Sequence, residues 1–181
     1  MIDAMDWLIA DGSSIKLTAD GTVEGLLVVF GSPDQTDLVG DYFDATTDFG
    51  KLRTSAIWLN HAMPIKTPSG VIHIDDPIGE AELEITDTGV IVRGLLDAKY
   101  RYLAQIVPEL GWSSGTAAHL VRRVAKSATA THIVRWPLGL DASITPTPAE
   151  PRTMIKSLTS LTQPSARATP AVMQVLRVRV V

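Results

Sequence analysis

The sequence predicts a mainly β domain of the α+β class, and three observations carry that expectation. Apolar, β-branched runs bounded by turn residues fill the first hundred positions, only one short stretch has helical spacing, and a Thr/Pro-rich segment ends the patterned region near residue 152. The chain has 181 residues, 45% of them hydrophobic and 20% charged, which suits one domain with a real core and argues against disorder.

Taken in order, Thr22-Val23-Glu24-Gly25-Leu26-Leu27-Val28-Val29-Phe30 is aliphatic and β-branched and stops at Gly31-Ser32-Pro33-Asp34. It reads as a buried strand closed by a turn. Ile78 to Ile85 alternates apolar with acidic residues, the pattern of a half-exposed strand. Thr86-Asp87-Thr88-Gly89 then turns the chain, and Val90 to Leu96 completes a hairpin. Leu103, Ile106, Val107 and Leu110 recur at i, i+3, i+4 and i+7, predicting a short amphipathic helix that Pro108 distorts or ends.

Beyond it, His119 to Val124 and Thr131 to Trp136 suit strands joined by a small polar linker, and Leu138 to Ile144 suits another. Pro146, Pro148 and Pro151 then mark a domain end. The expected organisation is a domain over 1–152 and a Ser/Thr/Pro-rich linker or tail over 153–181, whose last residues have the composition of an added strand.

A net charge of −4 speaks against a protein that coats nucleic acid, since phosphate contacts call for a basic face. With no cysteine, disulfides, thiolate chemistry and sulfur-bound zinc are excluded. No run approaches the ~18 apolar residues of a membrane span, and the acidic start Met1-Ile2-Asp3-Ala4-Met5-Asp6 lacks the basic opening of a signal peptide. The expectation is a soluble, unexported protein without cofactor, metal, nucleic-acid or membrane partner.

The chemistry-bearing stretch is Gly111-Trp112-Ser113-Ser114-Gly115. A serine hydroxyl needs an imidazole to take its proton and a polar group to hold that imidazole, and His61, in Trp58-Leu59-Asn60-His61, and Asp141 supply candidates. Glycines beside the serine would let the backbone turn sharply and bring N–H groups to a substrate carbonyl, although Ser-Ser-Gly is also ordinary turn chemistry. The string satisfies G-x-S-x-G, the nucleophile elbow of α/β-hydrolases, whose acid and histidine follow the serine in that order. That order fails here: no Asp or Glu lies between Ser113 and His132, and no histidine follows His132.

Three segments together resemble the tailed-phage prohead (head-maturation) serine proteases of HK97 type, related in fold to herpesvirus assemblin. They are Val23 to Tyr42, with Phe30-Gly31 and Gly40-Asp41; Leu59-Asn60-His61 followed by Pro77-Ile78-Gly79; and Gly111 to Gly115 followed by Trp136-Pro137-Leu138, Asp141-Ala142-Ser143-Ile144-Thr145 and Pro148-Ala149-Glu150-Pro151. The likeness spans roughly residues 22 to 152.

It implies a compact, mostly antiparallel β-barrel with a few surrounding helices, dimeric when active. Ser113 would be the nucleophile, His61 the general base and Asp141 the acid that orients the imidazole, at a position where the family more often has glutamate. In the herpesvirus relatives the third group is a second histidine, which leaves His119 or His132 for that role. Ser114 is a rival nucleophile, and Ser114 and Gly115 are the candidate oxyanion-hole donors. The implied substrates are scaffold, major capsid protein and the protease itself, cleaved inside the assembling prohead in the host cytoplasm. A catalytically inactive capsid-assembly or scaffolding module of the same fold is the alternative. His73 reads as a solvent-facing loop residue, and Arg122-Arg123 as a solvated face.

Overall fold

The computed structural model describes residues 16–17, 20–68, 70–105 and 110–153. It is mainly β, built on a nearly closed, six-strand barrel-like sheet. In chain order the strands are β1 (Lys16–Leu17), β2 (Thr22–Val29), β3 (Asp41–Tyr42), β4 (Thr54–Leu59), β5 (Ile65–Thr67), β6 (Gly70–Ile72), β7 (Gly79–Ile85), β8 (Gly89–Leu96), β9 (Gly111–Gly115), β10 (Arg122–Ala125), β11 (Thr131–Arg135) and β12 (Asp141–Thr145). The large sheet runs β1-β2-β8-β7-β4-β12-β9, and β9 comes back alongside β2. β10-β11-β3 form a second sheet and β5-β6 a hairpin.

The alternation over 79–85 does what it predicts: Gly79, Ala81 and Leu83 are buried while Glu80, Glu82 and Glu84 face out. On the outer surface Arg93 of β8 is bonded to both Glu24 and Glu84. The turn closes through Thr86 N–H on the Gly89 carbonyl at 2.8 Å. Gly89 has φ +152°, and a Cβ there would stand 2.0 Å from the Val28 carbonyl oxygen, so β2 and β8 close up only around a glycine. In β2 the register slips between Leu26 and Val28, a bulge that lets Leu27 and Val28 both enter the core. They pack there with Val23, Ile57, Leu59, Ile78, Leu96, Trp112 and Ile144.

Most strand pairs are antiparallel, but β12 pairs with β4, and β11 with β3, in parallel. Three expectations are corrected. The segment expected as a helix begins as 3-10 turns over Ala98–Gln105 that bury Leu103; residues 106–109 lie outside the described residues. His119 belongs to a 3-10 turn, Ala118–Leu120, ahead of the strand expected to contain it. The last strand starts at Asp141, because Gly139 turns the chain at φ +97°. The tail from residue 154 onward is outside the described residues.

Candidate active site

β12 organises the site. Its odd-numbered residues Asp141, Ser143 and Thr145 are polar and share one face, while Ala142 and Ile144 point into the core between β4 and β9. Ser143 and Thr145 are nonetheless buried, because the turn after β4 folds over their face. That turn is Asn60-His61-Ala62, and all three residues have positive φ (50°, 56° and 57°). None is glycine: Ala62 carries the crowding of a left-handed backbone at about 1–2 kcal/mol, while Asn60 and His61 are residue types that take this conformation at lower cost.

The same strand holds the turn in place. Ser143 Oγ accepts the His61 N–H at 3.0 Å, and Thr145 donates its hydroxyl to Asn60 Oδ1 at 2.7 Å. Asn60 Nδ2 donates to the Met63 carbonyl at 3.1 Å, Met63 N–H donates back to the Asn60 carbonyl at 2.9 Å, and His73 Nε2 meets the Ala62 carbonyl at 3.1 Å. At about 1 kcal/mol each, these bonds are of the size needed to offset the strain.

What the strain fixes is the imidazole. His61 Nδ1 lies 2.6 Å from Asp141 Oδ2, and Ser143 donates its hydroxyl to Asp141 Oδ1 at 2.6 Å. Since a carboxylate only accepts, the proton of a neutral His61 sits on Nδ1 and leaves Nε2 with a free lone pair. No hydrogen bond to Nε2 is made among the described residues. The two side chains are 26% and 21% exposed, open enough to meet a substrate.

Ser113 is not in a turn. It sits within β9, directly opposite Ser143, so the strand pairing sets it beside the residue that anchors His61 and one step diagonally from Asp141. The hydroxyls of the serine pair are distinguished by their bonding. Ser114 Oγ accepts the Trp136 indole N–H at 3.0 Å and lies opposite Ala142, whereas the half-buried Ser113 hydroxyl makes no hydrogen bond among the described residues. Successive amides of an extended strand point to opposite sides, so Ser114 and Gly115 cannot both donate to one oxyanion. A cleft of about 140 Å³ between β9 and β2 is walled by Ser113, Ser114, Trp112, Leu27, Val39 and Trp136 among others, with His61 and Asp141 outside it.

The other candidate histidines lie elsewhere. His132 is buried on β11, stacked on Tyr42 at 4.9 Å between centroids, with Nε2 3.1 Å from Asp44 Oδ1. That contact is close enough for an ion pair but too far from linear for a hydrogen bond. His119 is exposed on its turn. Arg122 and Arg123 are exposed on β10, with Arg123 Nε 3.1 Å from Asp41. Among the described residues no group of three His, Cys, Asp or Glu is placed to hold a metal, and no helix is long and apolar enough to cross a membrane.

Asn60, Ser143 and Thr145 complete the site; the polar–apolar alternation of Asp141 to Thr145 is the sequence signal for the two on β12, and no local pattern singles out Asn60. His73, expected to face solvent, is exposed but also braces the turn. No protein-family model, curated protein or solved structure matches the chain.

Proposed function

We propose that this protein is a serine endopeptidase in which Ser113 is the nucleophile, His61 the general base and Asp141 the group that orients it. The observation that carries the reading is the His61–Asp141 pair, held at 2.6 Å on a strained turn, with a serine hydroxyl on the strand next to β12 that makes no hydrogen bond among the described residues. Strain of this kind persists where surrounding structure over-determines it, and it collects at functional sites.

In the proposed reaction Ser113 Oγ attacks a peptide carbonyl as its proton passes to His61 Nε2, while Asp141 stabilises the imidazolium through Nδ1–H. The tetrahedral intermediate collapses, His61 gives its proton to the leaving amine, and the C–N bond breaks. Water, deprotonated by His61, then hydrolyses the acyl-enzyme and restores Ser113. One strand amide, from Ser114 or Gly115, supports the oxyanion, worth about 3 kcal/mol. The cleft that Ser113 borders receives a substrate side chain.

The motif resemblance supports the rest of the proposal: a prohead-protease-like barrel, active as a homodimer inside the assembling prohead in the host cytoplasm, cutting scaffold, major capsid protein and its own chain. Intact-mass analysis after treatment with a fluorophosphonate, which transfers its phosphonyl group to an activated serine with loss of fluoride, tests the core of it. One adduct is expected on the wild type and none on Ser113→Ala. Adducts on both move the nucleophile elsewhere, and adducts on neither favour the inactive capsid-assembly module.

A further inference from the structure

Gly115 stands directly opposite Asp141 in the β9–β12 pairing. A Cβ at position 115 would lie 2.4 Å from Asp141 Oδ2 and 2.9 Å from both Cβ and Cγ of that side chain. Atoms do not approach so closely, and Oδ2 is the oxygen that meets His61 Nδ1 at 2.6 Å. Backbone freedom does not explain the glycine, because its φ lies outside the left-handed region. β12 is held on its other side by the pairing of Ala142 with Ile57 of β4, so a methyl group at position 115 has to turn the carboxylate away and, because the 2.9 Å contact with Asp141 Cβ is not relieved by rotation, also push β9 and β12 apart at this pair.

We infer that Gly115 is a positioning residue: the vacant side-chain volume at this place on β9 is where the Asp141 carboxylate sits, and filling it turns the carboxylate off His61. The inference deepens the serine-protease reading and rests on it for its catalytic consequence. It also separates two roles for the same residue. Alanine keeps the backbone N–H, so a glycine needed only as an oxyanion donor would tolerate the change, while a glycine needed for its empty space would not.

The test is a double-mutant cycle of Gly115→Ala and Asp141→Gly, the second of which removes the side chain that the methyl group would strike. Fluorophosphonate labelling rates across pH, the downfield proton resonance of His61 Nδ1–H, and Tm are measured for all four proteins. Gly115→Ala is expected to slow labelling about 100-fold or more and to lose the resonance. In the Asp141→Gly background the same change should alter labelling by less than about twofold and no longer lower Tm. Wild-type labelling with the resonance retained in Gly115→Ala overturns the inference, as does a double mutant in which the two losses multiply. If the wild type forms no Ser113 adduct, the protease reading fails, yet the Tm cycle and the resonance still report whether the methyl group displaces Asp141.

Discussion

Among the described residues two histidine–carboxylate pairs are built in opposite ways. His132 rides a regular strand, 6% exposed, stacked on Tyr42, and reaches Asp44 at 3.1 Å in poor hydrogen-bonding geometry. His61 sits within three consecutive residues of positive φ, partly open to solvent, with a short bond to Asp141 and a second nitrogen unbonded among the described residues. A carboxylate partner therefore says little about what a histidine does. Backbone cost and access to the second nitrogen say more: the packing of His132 stabilises the fold, whereas the turn under His61 carries backbone strain that on the proposed reading serves catalysis.

The sharpest way to break this contrast is to truncate each histidine. His61→Ala should slow fluorophosphonate labelling by more than about 1,000-fold with little change in Tm. His132→Ala should leave labelling within about threefold and lower stability by about 2 kcal/mol, through lost packing and stacking. The reverse pattern in urea titrations and labelling rates would mean that the roles are exchanged.

A smaller effect measures the strain itself. Ala62 has φ +57° and offers the turn only its backbone. Ala62→Gly should therefore raise stability by about 0.5–1 kcal/mol, the relief of a left-handed alanine less the extra freedom of an unfolded glycine. A loss in denaturant midpoint would mean that the turn is not strained.

The smallest effect lies on the structural side. Burial pushes the Asp44 carboxyl up, but the Thr46 hydroxyl and N–H, together with His132, outweigh it and hold Asp44 below its ordinary value of 3.8. A folded value below the unfolded one gives stability that is complete above about pH 4 and fades as pH falls through the folded value. Asp44 is substantially exposed, so Asp44→Asn should spare only about a degree or two of the Tm lost between pH 5 and pH 3. An unchanged acid limb would show that neither the bonds from Thr46 nor the contact with His132 makes the Asp44 charge matter to stability.

The parts of this fold legible in sequence are those that repeat locally. The β7–β8 hairpin follows from its alternation and its turn, because each residue's neighbours on the strand report which face it occupies. The pairing of His61 with Asp141 is not local: it needs β4 and β12 side by side and parallel, which no spacing announces. The motif order proposed the partners, and the parallel register brings them into contact. Gly115 shows the remaining gap. Its glycine reads as turn chemistry along the chain, while its reason is a side chain that arrives from another strand.

The parallel β4–β12 pairing also sets a timetable. Ile57 and Ala142 are joined across most of the domain, so the contact closes a long loop and is expected to form after hairpins such as β7–β8, whose closure costs less chain entropy. During synthesis at roughly 5–20 residues per second, a nascent chain carries His61 for several seconds before Asp141 has been made. Throughout that interval the histidine has no carboxylate and the turn that bears it has no strand to hold it. On the proposed reading, a protease assembled in this order would be inert toward its own ribosome and neighbours until the domain is complete.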